Sequence, residues 1–322
     1  MNLNRYSEQR EMMGTFVNIQ VLATPDSKEK VKKAINSAFD EIDKLETKAS
    51  RFLEESDPAK IEKLKPDEVL IVSPWSWKCF QIADEVTKKT KGLYDITSGP
   101  LVDLWGFGRN KIWTIPDPEK IDSVLKIVGW EKICMLDSMH AVSVSVTGVQ
   151  IDLSSVAKGL AADIAVEKIK EHGLSNILVN AGGEIRTSSS GEKVWRVGIQ
   201  IPEENLLTQN YLEDRVVKIK NSAVATSGSY LNYFKNGANK YSHIINPITG
   251  RPFQTETVSV TVLAKSCAAA DAWATGLFTL PAEEAIALAN QTPEIDCMII
   301  ERPLPDKDKF RFHFTELFSS IE

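Results

Sequence analysis

QIDLSSVAKGLAADIAVEKIKEHG, Gln150 to Gly173, begins at a strand end, Ile151, and runs into a helix that stops at Gly173. Ser154 or Ser155 is placed to cap it, since a hydroxyl there accepts from the free N–H groups of the first turn. Ile177–Val179 follows as a short buried strand leading into Ala181-Gly182-Gly183. Towards the N-terminus, Gly14–Leu22 alternates Val17, Ile19 and Val21 as a strand does. Asp26 and Ser27 are placed to cap a long helix, whose Val31, Ile35, Phe39, Ile42 and Leu45 recur at three- and four-residue intervals. A second helix opens at Ser73 with Pro74 in the favoured first position and ends before Gly92. Tyr94–Gly108, YDITSGPLVDLWGFG, reads as loop; Asp117–Val128 reads as helix, and Ile133–Leu136 and Val142–Val146 as strands. Towards the C-terminus come strands at Trp195–Ile201 and Val216–Ile219, then a glycine- and hydroxyl-rich stretch from Ala223. Val258, Val260 and Val262 alternate with polar residues in a further strand. Helices at Cys267–Leu277 and Pro281–Asn290 and a strand at Ile295–Ile300 complete the pattern. Helices and strands mix without strict βαβ alternation, which makes the class α+β.

The 322 residues are 43% hydrophobic and 25% charged, enough to build a sizeable core and too apolar for a disordered chain. Lys plus Arg number 38 against 44 Asp plus Glu, a net charge of -6, so the chain has no electrostatic reason to seek nucleic acid. Cys79, Cys134, Cys267 and Cys297 form no metal or redox spacing, and Cys79, Cys267 and Cys297 read as buried thiols. His140, His172, His243 and His313 share no short spacing, which leaves few candidates for a catalytic histidine. No apolar run reaches 18 residues, so nothing spans a membrane. Met1–Met12 is a polar segment without the layout of a signal peptide.

Five places could carry chemistry. Asp271 and Thr275, four apart in CAAADAWATG, share a helix face; two hard oxygens there suit Mg²⁺, and equally a buried Asp with a hydroxyl partner at a helix contact. DLSSVAKG, Asp152–Gly159, presents helix-start N–H groups and Lys158 to a phosphate, although the P-loop pattern is missing. NAGGE, Asn180–Glu184, allows close backbone approach, as a plain turn also would. YSHIINPITGRP holds His243, a natural general base for a hydroxyl or a structural strand residue. AVATSGSY is rich in hydroxyls that suit a phosphate or an ordinary turn.

Their order is more specific than any one of them. MGT (Met13–Thr15), SRF (Ser50–Phe52), YDITSGPLVDLWGFG, DLSSVAKG, NAGGE, Trp195–Pro202, ATSGSY, HIINPITG and ADAWATG form one series, from Met13 to about Leu280. The series resembles the ApbE family of Mg²⁺-dependent flavin transferases. That resemblance implies an α+β fold related to the T-fold, with mixed sheets and packed helices. The polar segment 1–12 would precede a flavin transferase domain over 13–322, built as one unit or two intimate subdomains. The implied activity is transfer of FMN from FAD to a threonine hydroxyl of an acceptor protein, releasing AMP. FAD pyrophosphatase and plain FAD binder are the alternatives. Carried over residue by residue, Mg²⁺ is held by Asp271, Thr275 and the Ser155 carbonyl. FAD meets Met13, Phe52, Leu93, Tyr94, Asp95, Asp152, Lys158 and Ile245, and His243 takes the acceptor proton. The partners implied are FAD and the acceptor protein, with the enzyme itself a monomer. The family usually works outside the cytoplasmic membrane as lipoproteins, implying a mature chain without its leader; the residues themselves fit a cytoplasmic chain equally well. Departures from the pattern are Phe52 for a frequent tyrosine, Lys65 near a usual asparagine, and Ser229 and Asn246 for frequent aspartates.

Overall fold

The computed structural model describes residues 3–108, 111–202, 211–230, 232–237, 239–302 and 310–319. Eight strands form one sheet: β1 (Asn4–Met12), β2 (Thr15–Ala23), β3 (Asn176–Ala181), β4 (Glu184–Ser188), β5 (Ala223–Gly228), β6 (Thr257–Ala264), β7 (Ile295–Glu301) and β8 (Arg311–Phe314). Their order across the sheet is their order in the chain, and every ladder is antiparallel. A meander of this kind has a helix-covered face, and its long connections leave the sheet as insertions. The α+β class stands.

The largest insertion lies between β2 and β3. It opens with α1 (Lys28–Ala49), whose buried Val31, Ala34, Ile35, Ala38, Phe39, Ile42 and Leu45 follow the expected stripe. Ser27 precedes α1 but makes no side-chain cap bond; its hydroxyl meets Thr24 at 3.0 Å, and a short 3-10 turn, Pro25–Ser27, leads in. In α2 (Pro74–Lys89) the expected cap is made, Ser73 Oγ accepting from Ser76 N. A three-stranded sheet, Val69–Ile71, Ala141–Val144 and Ile133–Leu136, closes the insertion's outer side. Two further helices, α3 (Ala157–Glu171), which precedes β3, and α4 (Cys267–Phe278), which follows β6, pack with α1 and the sheet in one hydrophobic cluster.

Several readings change. Residues 4–12 are not a bare polar segment but the sheet's edge strand, with Tyr6 and Met12 against the core. Arg5, Glu8, Arg10 and Glu11 alternate along it, charges that protect an open edge from pairing with another chain. The stretch around Ile151 is not a strand, and neither Ser154 nor Ser155 caps α3, because Asp152–Val156 turns before Ala157 and Val156 takes the cap position. Within Tyr94–Gly108, residues Gly99–Leu104 form a one-and-a-half-turn helix led by Pro100. In β6 the hydroxyl positions are buried along with the valines, because the hairpin Trp195–Gln200/Tyr211–Ile219 covers the sheet's second face. Cys79, Cys267 and Cys297 are buried as expected, and Cys134 is exposed.

Candidate functional site

A cavity of about 660 Å³ opens where the β2–β3 insertion meets β4, β5 and α4. Ten of the twelve sequence-predicted residues line it: Leu93, Tyr94, Asp95, Asp152, Ser155, Lys158, His243, Ile245, Asp271 and Thr275. They come from four separate segments, so the chain's fold, and not its spacing, assembles them.

The acidic end of the cavity depends on one close helix crossing. A Cβ at Gly159 would sit 2.3 Å from the Cys267 carbonyl oxygen and 2.7 Å from Ala268 Cα, so only glycine lets α3 approach α4 here. At that distance the Gly159 N–H donates to Asp271 Oδ2 at 3.0 Å. In a regular first turn this N–H would serve the Ser155 carbonyl. Given to Asp271 instead, it leaves that carbonyl with no backbone donor among the described residues. Thr275, one turn beyond Asp271, shares a 2.9 Å hydroxyl contact with Ser227. Lys158 Nζ pairs with Glu184 Oε1 and lies 3.7 Å from Asp271 Oδ2. Asp271 and Glu184 are 3% and 5% exposed, two buried carboxylates around one ammonium. Burial raises both carboxyl pKa values although Lys158 pulls them down. Burial opposes the Lys158 charge, but Asp271 and Glu184 outweigh it and hold its pKa above the ordinary value. With both carboxylates ionised and Lys158 protonated, the cluster carries a formal charge of one minus.

His243 stands at another wall. Its Nδ1 lies 3.1 Å from the Asn232 carbonyl, which can only accept, so Nδ1 carries the proton and Nε2 is left as a base. Burial lowers its pKa, with Lys158 adding to the effect against the Asn232 bond, and the imidazole is neutral at pH 7. The loops that carry it are tied together: Trp105 Nε1 donates to the Gly250 carbonyl at 2.8 Å, and Trp105 stacks on Tyr241 at 5.4 Å. GPLVDLWGFG and HIINPITG therefore fold as one wall.

Tyr94 OH and Ser155 Oγ are 3.0 Å apart, the use that the Ser155 hydroxyl finds instead of capping. Asp95 lines the cavity but spends its carboxylate on the Thr97 and Trp130 N–H groups, both at 2.7 Å, so its side chain is a structural brace. Met13 and Phe52 do not line the cavity. Met13 has φ 53° and donates its N–H to Glu46 at 2.9 Å, and Phe52 is 46% exposed with the Arg51 guanidinium 4.8 Å from its ring centre.

Two residues inside the quoted motifs, Arg51 and Glu184, were not singled out from sequence. Arg51 makes a bidentate pair with Asp103 at 2.6 and 2.8 Å, and its Nε is 3.1 Å from Asp152 Oδ2. It thereby ties SRF, GPLVDLWGFG and DLSSVAKG together. Its pKa is raised because the Asp103 and Asp152 partners outweigh burial. A signal existed in principle: a cation beside an aromatic in a motif shared with acidic motifs. Of the departures, Asn246 Oδ1 accepts from Ile248 and Thr249 N–H at 2.8 and 3.2 Å, the same turn an aspartate would make. Ser229 is buried with its N–H on the Val258 carbonyl, and Lys65 is exposed.

The ApbE family profile matches residues 13–299. The chain belongs to the ApbE family. It is 33% identical over 287 residues to the FAD:protein FMN transferase of Vibrio cholerae, covering 87% of this chain and 84% of that one. With the FAD:protein FMN transferase of Escherichia coli K12 the identity is 38% over 225 residues, 66% of this chain and 63% of that one. The flavin transferase ApbE structure from Vibrio cholerae superposes with a TM-score of 0.85 at 29% identity, covering 100% of both chains. The ApbE protein of Thermotoga maritima gives 0.83 at 28%, covering 99% of each.

Proposed function

We propose that this ApbE-family protein transfers FMN from FAD to a threonine hydroxyl of an acceptor protein, with Mg²⁺, and releases AMP. The observation that carries the reading is the Gly159 N–H turned onto Asp271. One carboxylate, one hydroxyl and one freed carbonyl then meet in a cavity whose charge calls for a cation. Among the described residues no three His, Cys, Asp or Glu side chains cluster as a metal cage. That donor set fits Mg²⁺, which takes one or two carboxylates and completes its shell with water and phosphate oxygens. Asp271, Thr275 and the Ser155 carbonyl would hold the ion, which when bound would offset charge on the leaving phosphate.

The remaining work falls to the chain's own groups. Lys158 lines the cavity and would neutralise part of the diphosphate's charge. His243 Nε2 takes the proton of the acceptor hydroxyl as its oxygen bonds to the FMN-side phosphorus. The bond from that phosphorus to the bridging oxygen breaks, and AMP leaves with the electron pair. The Asn232 carbonyl keeps Nδ1 protonated throughout, so the imidazole stays in the one tautomer that can act as base. No helix among the described residues is long and apolar enough to cross a membrane. We place the enzyme outside the cytoplasmic membrane on its resemblance to lipoprotein relatives, which fractionation of cells would check. The defining experiment mixes the protein with FAD, Mg²⁺ and a candidate acceptor. A covalently fluorescent acceptor plus AMP supports transfer, free FMN plus AMP makes the protein a hydrolase, and unchanged FAD makes it a binder.

A further inference from the structure

NAGGE supplies a residue that the reaction above does not use. Gly182 and Gly183, at φ 75° and 113°, make the two-residue turn between β3 and β4, a backbone that side-chain-bearing residues rarely adopt. Asn180 Oδ1 accepts from the Gly183 N–H at 2.7 Å and stiffens that turn. Glu184 follows at once, opposite Ala181, on a rigid hairpin corner beside the cavity. Its Oε1 is bonded to Lys158, and its Oε2 is buried with no hydrogen-bond partner among the described residues. A carboxylate buried only for packing would have both oxygens satisfied. This one is committed through a single oxygen to a single ammonium.

Lys158 has two carboxylates within reach, and it is bonded to one of them. Its Nζ contacts Glu184 and stands 3.7 Å from Asp271 Oδ2, beyond hydrogen-bond range. The geometry points to Glu184 as a positioning residue: it holds the Lys158 ammonium off Asp271 and so leaves that aspartate open to a divalent cation. The inference rests on the Mg²⁺ reading given above. Without the Glu184 carboxylate, the nearest anion for Lys158 is Asp271. A rotation of the lysine stem would close 3.7 Å to about 2.8 Å, the length of a charge-assisted bond. The ammonium would then compete with the metal for its one carboxylate.

The test is Mn²⁺ affinity, measured by electron paramagnetic resonance on the full chain without FAD or acceptor, with folding checked by circular dichroism. Wild type should bind Mn²⁺. Glu184→Gln keeps the side chain's shape and should weaken binding about 10–100-fold, the usual cost of losing a partner that orients a metal ligand. Glu184→Asp keeps the charge but draws it back by one methylene, and should weaken binding several-fold. The double variant Glu184→Gln with Lys158→Met removes the competing ammonium and should return affinity to within a few-fold of wild type. If Glu184→Gln binds like wild type, the inference is wrong. If the double variant stays weak, Glu184 is itself a metal ligand and the positioning role falls. If Glu184→Asp matches wild type while Glu184→Gln does not, net charge alone is at work, and the role falls again. If wild type binds no Mn²⁺, the metal reading fails and takes this inference with it, an outcome distinct from the other three.

Discussion

Gly159→Ala tests the helix crossing on which the acidic end of the cavity is built. The added Cβ would lie 2.3 Å from the Cys267 carbonyl oxygen and 2.7 Å from Ala268 Cα. Both are backbone atoms of α4, so no side-chain rotation relieves the overlap. Carbon–oxygen contact begins at about 3.3 Å, so the helices must part by about 1 Å, and overpacking of this kind costs about 1–3 kcal/mol. The same movement stretches the 3.0 Å bond from Gly159 N to Asp271 to about 4 Å. Losing a hydrogen bond to a buried charged group costs about 1.5–3 kcal/mol. Alanine's better helix propensity returns at most about 1 kcal/mol. The clash and the lost bond win, and the variant should be less stable by about 2–4 kcal/mol. Urea unfolding reads this as a lower midpoint at unchanged slope. Mn²⁺ affinity should fall more than about tenfold, in line with the cost of disturbing a ligand's surroundings. A variant as stable as wild type, or more stable, with normal Mn²⁺ binding would refute the close crossing and the freed Ser155 carbonyl with it.

Other outcomes follow from the same site. Asp271→Ala should abolish Mg²⁺-dependent turnover in a folded protein, while Thr275→Ala, whose hydroxyl also has Ser227 at 2.9 Å, should lose less; near-normal transfer by Asp271→Ala at limiting Mg²⁺ would remove it from the metal site. His243→Ala should slow single-turnover transfer by about 10²–10⁴-fold, roughly 3–5 kcal/mol, with FAD affinity changed only a few-fold. Loss of affinity with normal turnover would make His243 a packing residue. Burial lowers the His243 pKa below 6.5, so the transfer rate should rise with pH only below that value and run level from about pH 7 to 8. A rate still climbing above pH 7 would contradict a buried neutral base. Arg51→Met leaves Asp103 and Asp152 facing each other without their cation. It should cost about 1–3 kcal/mol of stability, less than a fully buried pair because the Asp103 side chain is 45% exposed. FAD binding, measured by fluorescence, should weaken in the same variant, and unchanged binding would separate Arg51 from the site.

Periodicity and caps are short-range, and what they govern was legible along the chain. The apolar stripe of α1, the Ser73 cap of α2 and the strand at β7 were read within a residue or two, because each is set by neighbours three or four positions away. Ten residues that line the cavity were also named from the order of their motifs rather than through any contact between them. What happens at Ser155 was not. A hydroxyl at a strand-to-helix junction reads as a cap, yet the helix starts later, and the side chain bonds to Tyr94, 61 residues away. Arg51 meets Asp103 across 52 residues, and Lys158 meets Glu184 across 26. Burial of both faces of β6 depends on a hairpin inserted between β4 and β5. Ion pairs, double-sided burial and the crossing at Gly159 are set by which segments pack together in space. Spacing along one chain carries no record of that packing, so the tertiary structure alone decided which carboxylate takes the lysine and which carbonyl is freed.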